Sequence, residues 1–288
     1  MKKSTLLVLS LFLITGCGST ASSSASSSAA AGSVNEKQTE TQPSFQQTIV
    51  DDDKVHFEIT GTASNSMGYT WNLSITNKTA DQNMTVSMDE TAINNVSCDP
   101  FWATDVTAGN SANSTAVWYS NALENNGITS ITKVTFELNV FNSDTLDTIE
   151  KNVYTVYPLG EDKAADSTKQ PSASDAMVFD TDQVRMFITG SEKTDTGDFI
   201  LHAAIVNKTD RTVIFSLDSP SINGMMCDPY WGDSVLPGCS ANEDITWYSD
   251  ALSSAGITDI SSIDLPMRAD FDDDYSTILE QTYTYTPH

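Results

Sequence analysis

The stretch Val55-His56-Phe57-Glu58-Ile59-Thr60-Gly61 returns 129 residues later as Val184-Arg185-Met186-Phe187-Ile188-Thr189-Gly190. In the first version Val55, Phe57 and Ile59 alternate with His56, Glu58 and Thr60, the period-2 pattern of a strand with one buried face. A strand written twice implies a duplicated unit, and matching continues along the chain. Ile75-Thr76-Asn77-Lys78-Thr79 matches Ile205-Val206-Asn207-Lys208-Thr209, and Cys98-Asp99-Pro100-Phe101-Trp102 matches Cys227-Asp228-Pro229-Tyr230-Trp231. Trp118-Tyr119-Ser120-Asn121-Ala122-Leu123 matches Trp247-Tyr248-Ser249-Asp250-Ala251-Leu252, and Gly127-Ile128-Thr129 matches Gly256-Ile257-Thr258. The spacing slips by one residue after Gly61 and after Thr79, where surface turns tolerate changes in length.

Within each copy, alternation recurs over Trp71, Leu73 and Ile75, over Val134, Phe136, Leu138 and Val140, and over Leu201, Ala203 and Ile205. These runs are rich in Thr, Val, Ile and aromatic residues, which suit a pleated, half-buried surface. Turn residues punctuate them: Asn77-Lys78-Thr79, the hairpin dipeptide Asn223-Gly224 and its counterpart Asn94-Asn95, and Pro100 and Pro229, which cannot donate to a ladder. Seven or eight short strands per copy imply an all-β chain of two tandem immunoglobulin-like antiparallel sandwiches. Only Ser120 to Asn125 and Ser249 to Ser254 suggest helix, about one turn bridging the two sheets. The copies are expected over 47–158 and 176–288, each of about 105 residues and large enough for its own core. A linker rich in Lys, Asp, Ser and Ala fills 159–175.

Both copies resemble an uncharacterised immunoglobulin-like domain of lipoproteins from Gram-positive bacteria, related to a secreted mycobacterial immunoprotective antigen. The resemblance lies in the Asn-Lys-Thr turn, the stretch running into Asp-Pro-aromatic-Trp, and the Trp-Tyr-Ser segment followed by Gly-Ile. It implies the sandwich fold and brings no established activity. The family pattern places an aliphatic residue where Cys98 and Cys227 stand.

The N-terminus is expected to be an export signal. Met1-Lys2-Lys3 is followed by an apolar run from Leu6 to Ile14 and by Thr15-Gly16-Cys17. A basic start, a short apolar core and a small-residue exit make a secretory signal over 1–16. The apolar run falls far short of the roughly 20 residues that span a bilayer. The exit resembles a bacterial lipobox, which implies that Cys17 carries a diacylglycerol thioether. Residues 17–46, Ser/Ala-rich at first, then read as a flexible tether. The expected location is the extracytoplasmic face of a Gram-positive cell membrane, reached through the lipid on Cys17.

Once the signal is removed, twelve basic side chains face 39 acidic ones. A field of that sign repels phosphate backbones, so nucleic acid is not an expected partner. Signatures of nucleophilic, metalloprotease or phosphate-binding chemistry are missing: there is no Gly-x-Ser-x-Gly, no His-Glu-x-x-His and no glycine-rich phosphate loop. His56 matches Arg185 and His202 matches Asn72, so neither histidine recurs. A non-enzymatic binding module for a protein, peptide or glycan is expected, with a spacer or assembly partner in the envelope as the alternative.

Four tryptophans, Trp102, Trp118, Trp231 and Trp247, fit either a sugar-stacking platform or core packing, and their place within strand patterns favours the core. Their neighbours Phe101, Tyr119, Tyr230 and Tyr248 are then the candidate binding surface. Asp270, Asp272, Asp273 and Asp274 cluster as calcium ligands can, but without the spacing of an EF-hand loop. A solvated hairpin tip suits them better, and no metal or cofactor is expected. Cys98 and Cys227 suit small buried positions. Cys227 and Cys239 stand far enough apart for a hairpin return, which leaves open a disulfide private to the second copy.

Overall fold

The computed structural model describes residues 45–287. The first copy contains β1 (Gln47–Asp51), β2 (Val55–Asn65), β3 (Gly68–Asn77), β4 (Met84–Ile93), β5 (Val96–Ser97), β6 (Ala103–Val106), β7 (Ser111–Tyr119), α1 (Ser120–Asn125), β8 (Val134–Asn142) and β9 (Thr148–Val156). One sheet has the order β1-β2-β3-β7; in the facing sheet β4 pairs with β5, β6 and β8, and β8 with β9. The connections β3–β4, β6–β7 and β7–β8 therefore cross between sheets, the connectivity of an immunoglobulin-type sandwich. The hairpin between β4 and β5 turns on Asn94 and Asn95, both at positive φ. Asparagine tolerates that region because its short side chain bonds locally.

The second copy repeats the plan with β10 (Ala176–Asp180), β11 (Val184–Lys193), β12 (Phe199–Asn207), β13 (Val213–Leu217), β14 (Ser221–Ile222), β15 (Met225–Met226), β16 (Gly232–Val235), β17 (Ser240–Trp247), α2 (Ser249–Ser254), β18 (Ile263–Phe271) and β19 (Thr277–Tyr285). The bulged strand β4, which slips register between Met88 and Thr91, becomes two strands here. Pro220 lacks the N–H a ladder needs, and Ser219 has a positive φ of 62°. This break and the two-residue strands flanking the Asn turns raise the strand numbers to nine and ten.

Each copy closes over its own core. Trp71 and Trp118 pack edge to face at 4.8 Å, and Trp71 meets Phe136 at 5.5 Å. Val55, Phe57, Ile59, Val134 and Phe136 are sealed from solvent, as the alternation requires. Burying one such side chain stabilises by about 1.5–3 kcal/mol. The second core substitutes Phe199 and Leu201 for Tyr69 and Trp71, and Phe199 packs on Trp247.

The copies also meet. Ser240 of β17 lies beside Val96 of β5 in parallel register, which joins β10-β11-β12-β17 to the second sheet of the first copy. Ser240 N–H and Oγ both donate to Asn95 O, at 2.8 and 3.0 Å, and Asn242 Nδ2 donates to Asn126 Oδ1 at 2.9 Å. The linker takes part: Ser167 N–H donates to Asn94 O, and Arg185 donates to Gln170 Oε1. Phe187, Ala204 and Val206, on the outward face of that sheet, are buried, where the first copy has Glu58, Ser74 and Thr76. The outward face of the second copy is therefore apolar on the side where the two copies meet.

One expectation is corrected. Cys227 and Cys239 do not pair; both are free and buried, as is Cys98. The carbonyl of Cys227 accepts from Trp247 Nε1 at the end of β17, whereas Cys239 precedes Ser240 at its start. Eight strand residues put the two ends roughly 20 Å apart, far beyond disulfide reach. The intervening residues form β16 and a crossing between sheets, not a closed hairpin. The signal over 1–16, the lipid site Cys17 and the tether as far as residue 44 lie outside the described residues.

Candidate binding surface

The residues shared by both copies sort into those the scaffold uses and those it does not. Trp118 Nε1 donates to Cys98 O at 2.8 Å and Trp247 Nε1 to Cys227 O at the same distance. Each ring is buried and ties the Cys-Asp-Pro loop to the core. Trp102 is buried too, and its Nε1 donates to Ser114 Oγ at 2.8 Å. Trp231 is half-buried against the second core, with Nε1 on Glu243 Oε2 at 2.9 Å. Trp102, Trp118 and Trp247 are scaffold, so they form no sugar platform, and Trp231 leans on the core with one edge open.

The Asn-Lys-Thr turn is scaffold as well, which its turn-like composition concealed. Asn77 is sealed from solvent, and its Nδ2 donates to Gln82 O and Val106 O, at 2.7 and 2.9 Å. Asn207 repeats this with Arg211 O and Val235 O. Lys78 and Lys208 tie back to the opening turn of each copy, pairing with Asp51 and Asp180.

The expected surface residues behave differently. Phe101 is 90 % exposed and Tyr230 91 %, and both occupy the left-handed region at φ 48° and 55°. The Phe101 N–H donates to Asp99 Oδ1 and the Tyr230 N–H to Asp228 Oδ1, at 3.1 and 2.7 Å, so the same aspartate turn holds each ring outward. A bulky residue at positive φ is strained by roughly 1–3 kcal/mol, a cost that persists only where the surroundings enforce it. Tyr119 and Tyr248 are exposed on the far side of the buried tryptophans, at the starts of α1 and α2. Leu146 and Tyr275 form a third matched pair, exposed and at φ 63° and 56° on the β8–β9 and β18–β19 turns. Their chemistry differs between copies, so no side-chain match in the sequence pointed to them; only equal position in the repeat does.

The other candidates are accounted for by local pairing. Asp270 pairs with Arg268, Asp272 with Lys151, and Asp273 and Asp274 with Arg211. The cluster is the β18–β19 hairpin tip, held by cations from neighbouring elements. His56 lies 3.1 Å from Asp51 and His202 lies 2.6 Å from Asp244, each on a strand face. A cleft of about 760 Å³ opens between α1, the linker and β12 and β17, lined by Asn126, Lys169, His202, Asn242 and Asp244. Its walls are mostly polar, and no Phe, Tyr or Trp lines it.

Four carboxyl groups are partly withdrawn from water, Glu90 and Asp99 in the first copy and Asp233 and Glu243 in the second. Burial, then the charges of Asp233 and Asp99, push Glu90 up to about 8. Burial pushes Asp99 up to about 6. Burial also raises Asp233 and Glu243, which share a hydrogen bond.

No family model matches the chain, and no curated protein does. Among solved structures the chain is similar to a transglutaminase of red sea bream, at 8% identity and a TM-score of 0.22, over 78% of this chain and 30% of that one. It is similar also to an exo-chitosanase of Amycolatopsis orientalis, at 11% identity and a TM-score of 0.23, over 81% of this chain and 26% of that one. The chain spans less than a third of either neighbour's length, and likeness at these scores carries no argument about activity.

Proposed function

We propose that the protein is a lipid-anchored module on the extracytoplasmic face of a Gram-positive cell membrane that binds a protein, peptide or glycan without catalysing a reaction. Cys17 in its lipobox setting supports the anchor, and the resemblance of both copies to domains of such lipoproteins supports the address. The observation that carries the binding role is the matched pair Phe101 and Tyr230, strained and about nine-tenths exposed in both copies. A scaffold gains nothing from presenting a strained ring to water, whereas a contact surface does, because an aromatic ring offers large area at low conformational cost. Tyr119 and Tyr248 are a second exposed aromatic pair that recurs in both copies. The joining of the copies through β5 and β17 favours a second reading, a spacer that holds another component at a set height.

Retention of envelope extract by the full-length chain separates the two. Replacing Phe101, Tyr119, Tyr230 and Tyr248 with Ala should abolish capture of a discrete protein or glycan while leaving the circular dichroism of the sheets unchanged. Capture equal to that of the parent would overturn the binding role. The anchor has a separate test: Cys17→Ala should release the protein into the medium, and continued membrane retention would sink it.

A further inference from the structure

A pocket of about 390 Å³ opens at the end of the first copy where α1 closes the sandwich, with Tyr69, Leu123, Ile128 and Ile131 in its walls. Tyr69 is buried, and its hydroxyl has no hydrogen-bond partner; Trp71 and Thr62 stand near it, but neither bonds to it. Trp71 Nε1, two residues along the same strand, is buried and unpartnered too. The fold requires neither polar atom. The second copy has Phe199 in place of Tyr69 and Leu201 in place of Trp71, and both fill its core. A buried donor without an acceptor is destabilising. One that the scaffold can dispense with therefore points to a partner from outside the chain. The pocket is also cleared of side chains that the second copy keeps. Gly68 replaces Asp198, whose Oδ1 accepts from the Ser249 N–H at the start of α2. Ser64, opposite Tyr69, replaces Lys193, opposite Phe199.

We propose that the first copy binds a small uncharged ligand in this pocket, a compact apolar body with one oxygen that accepts the hydrogen bond of the Tyr69 hydroxyl. The apolar body packs on Leu123, Ile128 and Ile131, and the single polar contact sets its orientation, the usual division of labour in a small-molecule site. The one charged side chain of the lining, Glu124, is exposed at the rim, so the interior favours an uncharged guest. A glycan fits these walls poorly, because most of its hydroxyls would be left without partners. The site belongs to the first copy alone, since Phe199 has no hydroxyl to offer. It is separate from the exposed pair Phe101 and Tyr230, neither of which lines it.

Titration of the full-length chain with two probes of similar shape tests this: acetophenone, which carries a carbonyl oxygen, and ethylbenzene, which carries none. Both should shift the Ile128 and Ile131 amides saturably in nuclear magnetic resonance spectra while leaving the matched Ile257 and Ile260 unmoved. Tyr69→Phe should weaken acetophenone about tenfold and leave ethylbenzene unchanged, because only the ketone loses a hydrogen bond. The variant carries the side chain that the second copy has at Phe199, so its melting temperature should equal or exceed the parent's. No saturable shift with either probe, or equal shifts at Ile257 and Ile260, would overturn the proposal. So would a loss in Tyr69→Phe no greater for acetophenone than for ethylbenzene. A lower melting temperature of Tyr69→Phe would also overturn it, by showing the hydroxyl bonded within the protein or to a resident water.

Discussion

Asn77 and Asn207 illustrate how a residue that looks like a turn can be an internal brace. Both are buried, and each satisfies carbonyls from two different chain segments while its own Oδ1 accepts from the Thr two residues on. Removing the amide leaves buried carbonyls without donors, at about 1–3 kcal/mol each. Asn207→Ala should therefore lower stability by about 2–4 kcal/mol in chemical denaturation. A loss under about 0.5 kcal/mol, the range of an ordinary surface change, would show that the motif is only a turn. The exposed aromatics follow the opposite logic. Phe101 and Tyr230 are held by a local aspartate turn and contribute little burial, so their role lies outside the fold's own energetics. Their exposure was legible from their place beside buried tryptophans. Their strained backbone was not, because φ at a loop residue is set by the closure of the loop.

At the scale of elements, most boundaries follow from local pattern. The helices run Ser120–Asn125 and Ser249–Ser254, as the break in alternation after Tyr119 and Tyr248 indicates. The Asn94-Asn95 and Asn223-Gly224 turns close hairpins between β4 and β5 and between β14 and β15. The matched β2–β3 and β11–β12 turns nevertheless differ in what they tolerate. Gly68 has φ +147°, and a Cβ there would sit 1.9 Å from Trp118 O, a collision with backbone of the adjoining strand. Gly197, in the matched turn and one place before Asp198, which aligns with Gly68, is at φ +90° and has only Ser249 Cβ nearby, at 3.4 Å. Gly68→Ala should cost about 3 kcal/mol or more, through strain and displacement of β7. Gly197→Ala should cost about 1–2 kcal/mol, from backbone strain alone. Equal melting-temperature losses in the two variants would contradict this difference. Alternation also failed informatively: Met186-Phe187-Ile188 is buried throughout, because a sheet covered on both faces no longer alternates.

For the whole molecule, the question is how two copies of one fold become a joined pair. Lys151 reaches from β9 to Glu137 of its own sheet and to Asp272 on the hairpin tip of the other copy, at 3.3 and 3.0 Å. Burial raises the Glu137 carboxyl, and the lysine opposes that shift. Lys151→Ala should lower the denaturation midpoint modestly, by about 1 kcal/mol, with increased exchange at the β18–β19 turn. No change in exchange there would mean that the pair does not couple the copies. The outward face of the second copy's sheet, at Phe187, Ala204 and Val206, is apolar and buried.

The sequence by itself determined the duplication, the strands, their inward faces and the turns, because each rests on neighbours within a few residues or on a fixed repeat spacing. It also placed Trp102, Trp118 and Trp247 inside, since a ring on the buried side of an alternating strand has nowhere else to go. Only the tertiary structure decided that Cys227 and Cys239 lie at opposite ends of β17 and that the copies join at β5 and β17. The join depends on contacts between residues more than a hundred positions apart. Local periodicity sets which face of a strand is buried, but packing of whole sandwiches against each other sets which edges and charges come together.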